Sequence, residues 1–283
     1  MTYQDYRIYF KKEVSENYTD AESSILFDIF VQHLTDWNKV ELRTAMTQKV
    51  EEKNSSKLQH IINELKTGKP YQQILGETEF YGLKFFVDEH VLIPRPETEE
   101  LVELAIKKMQ DPRCKMQNLK ILDIGTGSGI IPIVLKKHFP DAEVSAIDFS
   151  ENALKTAKRN ADLHKVEINF THQDYLNSTL CEVYDVIISN PPYIGMEEED
   201  EIGKSVKEFE PKMALFSPTP NALIFYEKIA EDCKNHLSEN GLVFLEINQK
   251  LGKETLKLFT DVLLEAELMK DLSGNERIVW GRK

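Results

Sequence analysis

Apolar side chains recur at helical spacing through the first part of the chain. Residues three or four positions apart share one face of a helix. Two such sets occur: Ile25, Leu26, Ile29, Phe30, Leu34 and Trp37, then Leu58, Ile61, Ile62 and Leu65. Gly68 and Pro70 follow the second set and predict the end of its helix. We therefore expect residues 1–75 to form a small helical bundle.

A strand pattern follows the bundle. Residues 80–87 are aromatic and β-branched around a central Gly82, which is typical of a hairpin. We expect residues 76–95 to form a β-hairpin linker. Pro96 suits the first turn of a helix. Arg95 lies between two prolines, where it would hold a carboxylate or a protein partner, or would simply be a surface charge.

From about residue 119 the pattern alternates between strand and helix. Repeated strand–helix units produce a mostly parallel sheet with helices on both faces. The tail from Ala266 to Trp280 predicts a helix end and then a hairpin around Gly274, which would add an antiparallel edge. We therefore predict a doubly wound α/β domain over residues 96–283, with these strands: 120–123, 143–147, 167–170, 184–189 and 241–246.

The composition is that of an ordinary globular protein, with 41% hydrophobic and 29% charged residues among 283. No stretch approaches the roughly 18 apolar residues that a membrane span requires. Residues 1–6 lack the basic and apolar regions of a signal peptide. We expect a cytoplasmic protein without a membrane partner.

The net charge of −13 bears on the choice of partner. Non-specific nucleic-acid binding depends on Lys and Arg that neutralise phosphates, so we expect no direct nucleic-acid partner. A neutral small molecule or a basic protein surface is a better electrostatic match. The histidines are dispersed, and we predict no metal site. The cysteines show no CxxC pair and predict no disulfide framework; they are Cys114, Cys181 and Cys233.

The segment Asn190-Pro191-Pro192-Tyr193 directly follows a predicted strand. Two consecutive prolines stop the strand in a rigid turn, at the end of the sheet where ligands of open α/β folds bind. An Asn side-chain oxygen and a proline carbonyl can accept both N–H bonds of a planar NH2 group while a Tyr ring covers its plane. The alternative is a strand-ending turn with a partly buried Tyr.

A glycine-rich turn connects the strand 120–123 to a helix. It consists of Gly125, Thr126, Gly127, Ser128 and Gly129. Glycine lets the backbone turn tightly and approach a ligand closely. Ile130 occupies the position of the third glycine in a dinucleotide fingerprint, and the turn lacks the Lys of a P-loop. The turn therefore suits a ligand without a pyrophosphate, and S-adenosylmethionine is such a ligand.

Two acidic positions extend this candidate site. Asp148 ends the second strand, where an acid can bind both ribose hydroxyls of a nucleoside; the alternative is an acid that stabilises a helix N-terminus. Asp174 and Tyr175 end the third strand region. There the acid or the backbone would meet the adenine amino group, and the Tyr ring would stack on the base.

Three blocks together resemble the release factor glutamine methyltransferases, the PrmC/HemK family. They are residues 92–99 (LIPRPETE), 123–129 (DIGTGSG) and 189–194 (SNPPYI). Later blocks also match, and the similarity extends from about residue 70 to the end. These later blocks are Glu210-Pro211, Ala214-Leu215, Glu246-Ile247, Asp271-Leu272-Ser273-Gly274 and Arg277. The Asn190 to Tyr193 segment alone is shared with adenine and cytosine amino-methyltransferases, whereas residues 92–99 make the protein-glutamine class more specific.

The resemblance implies a seven-stranded Rossmann-like methyltransferase sheet with an antiparallel C-terminal edge. It implies transfer of a methyl group from S-adenosylmethionine, leaving S-adenosylhomocysteine, to the side-chain amide nitrogen of the glutamine in the Gly-Gly-Gln motif of peptide chain release factors. Residues 1–75 would recognise the release factor or cover the sheet edge. The glycine turn, Asp148 and Asn190 would line the cofactor site, and Asn190, Pro191, Pro192 and Tyr193 would hold the glutamine, with Asn190, Pro191 and Tyr193 as the catalytic groups.

The chain departs from the family pattern in two places. Residues 216–223 replace a Gly-Gly-type turn, which leaves the loop shape open. Tyr175 replaces the usual Trp and preserves an aromatic face. Two other functions remain open at this point: an amino-methyltransferase that acts on DNA or RNA, and a cofactor-binding interaction protein without catalysis.

Overall fold

The structure is a computed structural model that describes residues 1–111 and 118–283, and it divides into two compact units. One unit comprises Met1–Glu77 and Gly203–Phe209. The other comprises Thr78–Ile202 and Glu210–Lys283. The predicted boundary positions of the domains stay a prediction.

The first unit is built from helices. Along the chain they are α1 (Tyr3–Glu13), α2 (Asp20–Thr35), α3 (Lys39–Ala45), α4 (Glu52–Lys66) and α5 (Tyr71–Leu75). Thr2, Thr19 and Asn38 cap the first three helices, each in a reciprocal hydrogen-bond pair with an acid three residues later. The apolar faces meet in a core that includes Phe10, Phe27, Phe30, Leu58 and Ile62. Ile25, which the spacing placed on the apolar face, is 61% exposed.

The second unit contains a seven-stranded sheet and, apart from its first residue Glu77, a two-stranded sheet. The strands are β1 (Glu77–Phe80), β2 (Leu83–Phe86), β3 (Lys120–Ile124), β4 (Glu143–Asp148), β5 (Asn169–His172), β6 (Tyr184–Ser189), β7 (Leu237–Glu246), β8 (Glu265–Lys270) and β9 (Glu276–Arg282). The remaining helices are α6 (Pro96–Met109), α7 (Ile130–His138), α8 (Glu151–His164), α9 (Lys204–Phe209), α10 (Lys212–Leu215), α11 (Ile224–His236) and α12 (Gly252–Thr260), of which α9 belongs to the first unit.

The large sheet has the strand order β5-β4-β3-β6-β7-β9-β8. Its first five strands pair in parallel, and β9 pairs antiparallel with both β7 and β8. The predicted doubly wound sheet with an antiparallel C-terminal edge is therefore confirmed. The chain order reverses between β3 and β6, so the carboxyl ends of these neighbouring strands flank a crevice where ligands bind in such folds.

Alternate side chains of a strand point to opposite faces of the sheet. Helices bury both faces of this sheet. Helices α6 and α7 cover one face, which includes Leu101, Ile121, Val134, Val186 and Phe244. Helices α11 and α12 cover the other face, which includes Leu122, Ile187, Tyr226, Val243 and Phe259. The apolar runs that predicted the strands are the centre of this core.

The C-terminal tail differs from its prediction in one respect. Residues from Ala266 were expected to end a helix, but α12 ends at Thr260 and Ala266 lies within β8. Ala266 and Leu268 pair with Gly281 and Val279 of β9, which satisfies their backbone groups. A short apolar run does not by itself distinguish helix from strand. The predicted hairpin is present, with a hydrogen bond from Gly274 N to Asp271 O at 2.9 Å.

Two of the three cysteines lie in the part of the chain that the structure describes. Cys181 is exposed and Cys233 is buried, both as free thiols, and Cys114 lies outside the described residues. Within the described ranges, no group of three or more His, Cys, Asp or Glu side chains could hold a metal ion. Across the same ranges, no helix has both the length and the apolar character to cross a membrane.

Candidate active site

A cavity of about 730 Å³ opens at the carboxyl ends of β3, β4 and β6. Its lining brings together residues from several predicted motifs: Gly125, Thr126, Gly127, Ser128, Asp148, Asp174, Tyr175, Asn190 and Pro192. Because these residues leave the sheet at one edge, the strand order alone brings them together. The cavity is large enough to contain a nucleoside-sized ligand and a side chain that enters from outside.

The glycine turn adopts a backbone that other residues rarely accept. Gly125, Gly127 and Gly129 have φ angles of 75°, 55° and 80°. A Cβ on Gly129 would lie 3.1 Å from Ala157 Cβ, so α8 packs directly against the turn at this point. Gly125 N and Thr126 N both donate to Ile147 O, which holds the turn against the end of β4.

Asp148, at the end of the neighbouring strand β4, stabilises the same turn by hydrogen bonds. Its Oδ2 accepts from Gly127 N and its Oδ1 accepts from Ser150 N, each at 2.8 Å. Burial raises the pKa of Asp148, and these backbone donors oppose the rise. A carboxylate has about four acceptor positions on its two oxygens, so two such bonds leave room for hydroxyl donors from a ligand.

Asp123 is fully buried behind the turn, at the end of β3. Neither of its carboxylate oxygens has a hydrogen-bond partner among the described residues. Burial raises the pKa of Asp123 to about 7, and the Asp148 charge adds to the rise. The Thr126 hydroxyl opposes the rise, although it does not form a hydrogen bond of good geometry with Asp123. A buried, unpartnered acid beside a cavity favours a positively charged ligand there.

Tyr175 lies deeper than the sequence alone suggests. Its hydroxyl donates to Asp232 Oδ2 at 2.7 Å, and its ring is parallel to that of Phe225 with 6.5 Å between the centroids. Burial raises the pKa of the Tyr175 hydroxyl, and the hydrogen bond to Asp232 adds to the rise. Asp174 accepts from Asn177 Nδ2 at 2.9 Å. Both predicted residues line the cavity, and Tyr175 is fixed in place by the core.

The Asn190 to Tyr193 segment leaves β6 beside the glycine turn. Ser189 Oγ donates to Ile124 O at 2.6 Å, which ties the end of β6 to the end of β3. Asn190 and Pro192 line the cavity, while Pro191 is buried. Tyr193 packs against the core under α11 and donates its hydroxyl to Glu246 Oε1 at 3.2 Å.

A chain of hydrogen bonds behind Asn190 was not predicted. Asn190 Nδ2 donates to Thr98 Oγ1 at 3.1 Å, and Thr98 Oγ1 donates to Glu246 Oε2 at 2.7 Å. The sequence contains one signal for it, because Glu246 is an acid at the end of the apolar run 242–245. An acid in such a position needs polar partners inside the protein.

Residues 216–223, whose shape the sequence left open, continue the cavity wall. Ile194 N donates to Leu215 O at 3.1 Å and Ser217 N donates to Ile194 O at 2.9 Å, so this segment pairs with the chain directly after Tyr193. Ser217 Oγ donates to Asn221 O at 2.9 Å and closes the loop. Phe216, Ser217, Pro218 and Thr219 line the cavity.

Arg95 also lines the cavity, and it holds a carboxylate of its own chain. Its guanidinium lies 2.6 Å from Glu210 Oε1, and Ile93 N donates to the other oxygen of Glu210 at 3.0 Å. Glu210 is 4% exposed, whereas the Arg95 side chain is about one-third exposed. The ion pair therefore anchors the segment before α6 at the cavity wall.

Similarities to known proteins agree with this geometry. Residues 102–208 match the family described as "Methyltransferase small domain", and residues 8–76 match the "PrmC N-terminal domain". A methyltransferase structure from Pyrococcus furiosus superposes with a TM-score of 0.51 at 16% identity, covering 82% of this chain and 99% of that chain, which indicates a shared fold.

Curated relatives extend over almost the whole chain. The release factor glutamine methyltransferase of Flavobacterium psychrophilum is 42% identical over 281 residues, which cover 99% of this chain and 98% of that protein. The release factor glutamine methyltransferase of Streptococcus pneumoniae is 38% identical over 273 residues, which cover 95% of this chain and 94% of that protein. The chain therefore belongs to the release factor glutamine methyltransferase family, as its motifs predict.

Proposed function

We propose that this protein transfers a methyl group from S-adenosylmethionine to the side-chain amide nitrogen of the glutamine in the Gly-Gly-Gln motif of peptide chain release factors. One observation carries the proposal: Asn190 lines the same cavity as the glycine turn and Asp148. Family membership restricts the acceptor to a protein glutamine, and the cavity joins a nucleoside-type site to an amide that can orient an NH2 group.

The residues around the glycine turn fit the cofactor. S-adenosylmethionine supplies a methyl group activated on a positively charged sulfur. Asp148 would accept the ribose hydroxyls, and Asp174 with Tyr175 would lie at the adenine. Thr126 and Ser128, which lie between the glycines of the turn, would also line the cofactor site. Asp123, the unpartnered buried acid, favours a cationic ligand over a neutral one.

Asn190 and its neighbours would position the acceptor. An amide nitrogen is a poor nucleophile because its lone pair is delocalised. Asn190 Oδ1 and the Pro191 carbonyl would accept its two N–H bonds, with Pro192 and Tyr193 beside the amide plane. Orientation of this kind contributes several kcal/mol, up to about 7–11 in the best intramolecular cases. The acceptor oxygens also stabilise the positive charge that develops on the nitrogen, and the proton leaves afterwards to solvent or to another acceptor.

The helical unit is the proposed site of release-factor recognition. We assign residues 1–75 to this task, residues 76–95 to a hairpin linker and residues 96–283 to methyl transfer. A helical unit that carries none of the cavity residues is free to serve a macromolecular partner. We further propose a cytoplasmic location, because release factors act in translation there.

The main alternative is methylation of an exocyclic base amine, which would use the same Asn190 segment. It would also require basic residues for phosphates, and the net charge of −13 weighs against them. A cofactor-binding protein without catalysis would not need Asn190 at the cavity. Both alternatives are separated from the proposal by one assay.

That assay incubates the protein with S-adenosylmethionine and a purified release factor, then measures the Gly-Gly-Gln peptide by mass spectrometry. The expected result is one added methyl group on the glutamine. A release factor with Glu in place of that glutamine is the matched control and should gain none. Methylation of tRNA or rRNA alone would replace the proposal with its nucleic-acid alternative, and cofactor binding without transfer would support the non-catalytic one.

A further inference from the structure

Two buried polar residues from distant parts of the second unit form a hydrogen-bond chain that reaches the amide of Asn190. Thr98 lies in the first turn of α6 and is 2% exposed, and Glu246 ends β7 and is 1% exposed. Thr98 Oγ1 donates to Glu246 Oε2 at 2.7 Å, and Tyr193 OH donates to Glu246 Oε1 at 3.2 Å. Thr98 lines the cavity beside Asn190, Glu246 does not, and neither residue has a step in the proposed methyl transfer.

The direction of these hydrogen bonds follows from the number of available protons. An ionised carboxylate only accepts hydrogen bonds, and a hydroxyl has one proton to donate. Burial raises the pKa of Glu246, and the Thr98 and Tyr193 hydroxyls and the nearby Arg277 charge oppose the rise. Because each Glu246 oxygen accepts from one of these two hydroxyls, Thr98 gives its proton to Glu246 and presents only lone pairs to Asn190.

This polarity determines which end of the Asn190 amide faces Thr98. A lone-pair acceptor requires a donor, so the NH2 group of Asn190 must lie toward Thr98, at 3.1 Å. The reversed amide would bring Asn190 Oδ1 against the Thr98 oxygen with no proton between them. Such a buried, unpaired contact costs about 1–3 kcal/mol. The amide oxygen is thereby left for an outside donor.

We propose that Thr98 and Glu246 are positioning residues that fix the Asn190 amide with its oxygen available to the substrate NH2 group. The inference rests on the proposed methyl transfer, because only an acceptor NH2 group requires this orientation. Thr98 acts on the Asn190 amide by their hydrogen bond, and Glu246 acts on it only through Thr98. Glu246 also fixes the Tyr193 hydroxyl.

The test compares two substitutions at Thr98. Thr98→Val has nearly the same shape but lacks the hydroxyl, so the amide can rotate; Thr98→Ser retains the hydroxyl. We expect Thr98→Val to lower kcat by about 10- to 100-fold, as small losses of orientation do, with cofactor Kd within about twofold. Thr98→Ser should restore most of the rate. Equal rates in wild type and Thr98→Val, or equal losses in Val and Ser variants, would overturn the inference.

A matched control comes from a second buried threonine. Thr156 Oγ1 donates to Asp88 Oδ2 at 2.5 Å, in the same kind of Thr–carboxylate pair but without contact to Asn190. Thr156→Val should lower stability as Thr98→Val does and leave kcat within about twofold. An equal kcat loss in both variants would mean that Thr98 is merely structural.

Two further measurements keep the outcome decisive. If Thr98→Val fails to fold, Glu246→Gln replaces it; a Gln amide can face Thr98 with either end, so we expect a smaller loss of about 3- to 10-fold in kcat. A folded Glu246→Gln variant with full kcat would also overturn the inference. NMR without substrate can monitor the exchange of the Asn190 side-chain N–H protons with solvent. This exchange should be slow in wild type and fast in Thr98→Val. If wild type methylates nothing but shows this contrast, the proposed function fails while the amide orientation stands.

Discussion

The two halves of the cavity are held in place by different kinds of contact. On the proposed cofactor side, backbone groups position the site: Gly127 N and Ser150 N both donate to Asp148. On the proposed acceptor side, side chains position it, through the chain from Asn190 to Thr98 and Glu246. Backbone-built sites depend on local conformation, whereas a side-chain network depends on residues that meet only after folding. The two halves should therefore respond differently to substitution.

The largest expected effect separates catalysis from cofactor binding. Asn190→Ala removes the proposed amide acceptor, and loss of a group that acts in the transition state costs about 10²–10³-fold or more in kcat. Cofactor Kd, measured by calorimetry, should change far less. Asn169→Ala is the control, because Asn169 is exposed at the start of β5, and it should leave kcat unchanged. Near-normal turnover by Asn190→Ala would contradict the assigned role of this residue.

The next prediction concerns the buried acid on the cofactor side. Burial raises the pKa of Asp123 from 3.8 to about 7, so the folded protein binds this proton more tightly than the unfolded chain does. The stabilising contribution is fully present below pH 3.8 and is lost as the pH rises through about 7. Asp123→Asn removes the titration, so its stability relative to wild type should increase from pH 5 to pH 8 by about 2–3 kcal/mol.

Urea unfolding of the cofactor-free protein at each pH measures this difference, since other titrating groups cancel between the two proteins. Added S-adenosylmethionine should reverse the order at pH 8, because the cation stabilises an ionised Asp123 and not Asn. A stability difference that is constant with pH would show that Asp123 does not titrate in this range.

A pair of glycine substitutions tests the packing of the turn. Gly125→Ala and Gly129→Ala share the same strain, since both glycines have positive φ angles. At Gly125 nothing lies within 4 Å of the added Cβ, whereas at Gly129 it would press on Ala157 of α8. We expect about 1 kcal/mol of lost stability at Gly125 and roughly 2–3 kcal/mol at Gly129. Equal losses of stability in thermal or urea unfolding would show that α8 moves away from the added Cβ at Gly129 without a free-energy cost.

The smallest effect is expected at Tyr175. Tyr175→Phe removes the hydroxyl that donates to the buried Asp232, which should lower the free energy of unfolding by about 1–2 kcal/mol. The ring remains, so cofactor Kd should change little. Tyr9→Phe removes a half-buried hydroxyl bonded to Gln59 and should cost less. A large rise in cofactor Kd for Tyr175→Phe would mean that the hydroxyl itself reaches the ligand.

Much of the fold could be predicted because its signals are local. Alternation of apolar strands and helices predicted the doubly wound sheet, and the double proline predicted where β6 stops. The tail was the exception, because residues 265–270 become a strand only by pairing with β9. The depth of Tyr175 was also not predictable, since Asp232 lies 57 positions away and reaches it through α11.

The sequence by itself determined the family, the tight glycine turn and the candidate Asn190 segment, because each depends on residues that are adjacent in the chain. Only the tertiary structure decided which groups hold the Asn190 amide. Thr98 is 92 positions from Asn190 and 148 positions from Glu246, and no local pattern couples them. They meet because α6 and β7 are packed together in the same core, and there a hydroxyl and an acid isolated from water must bond to each other.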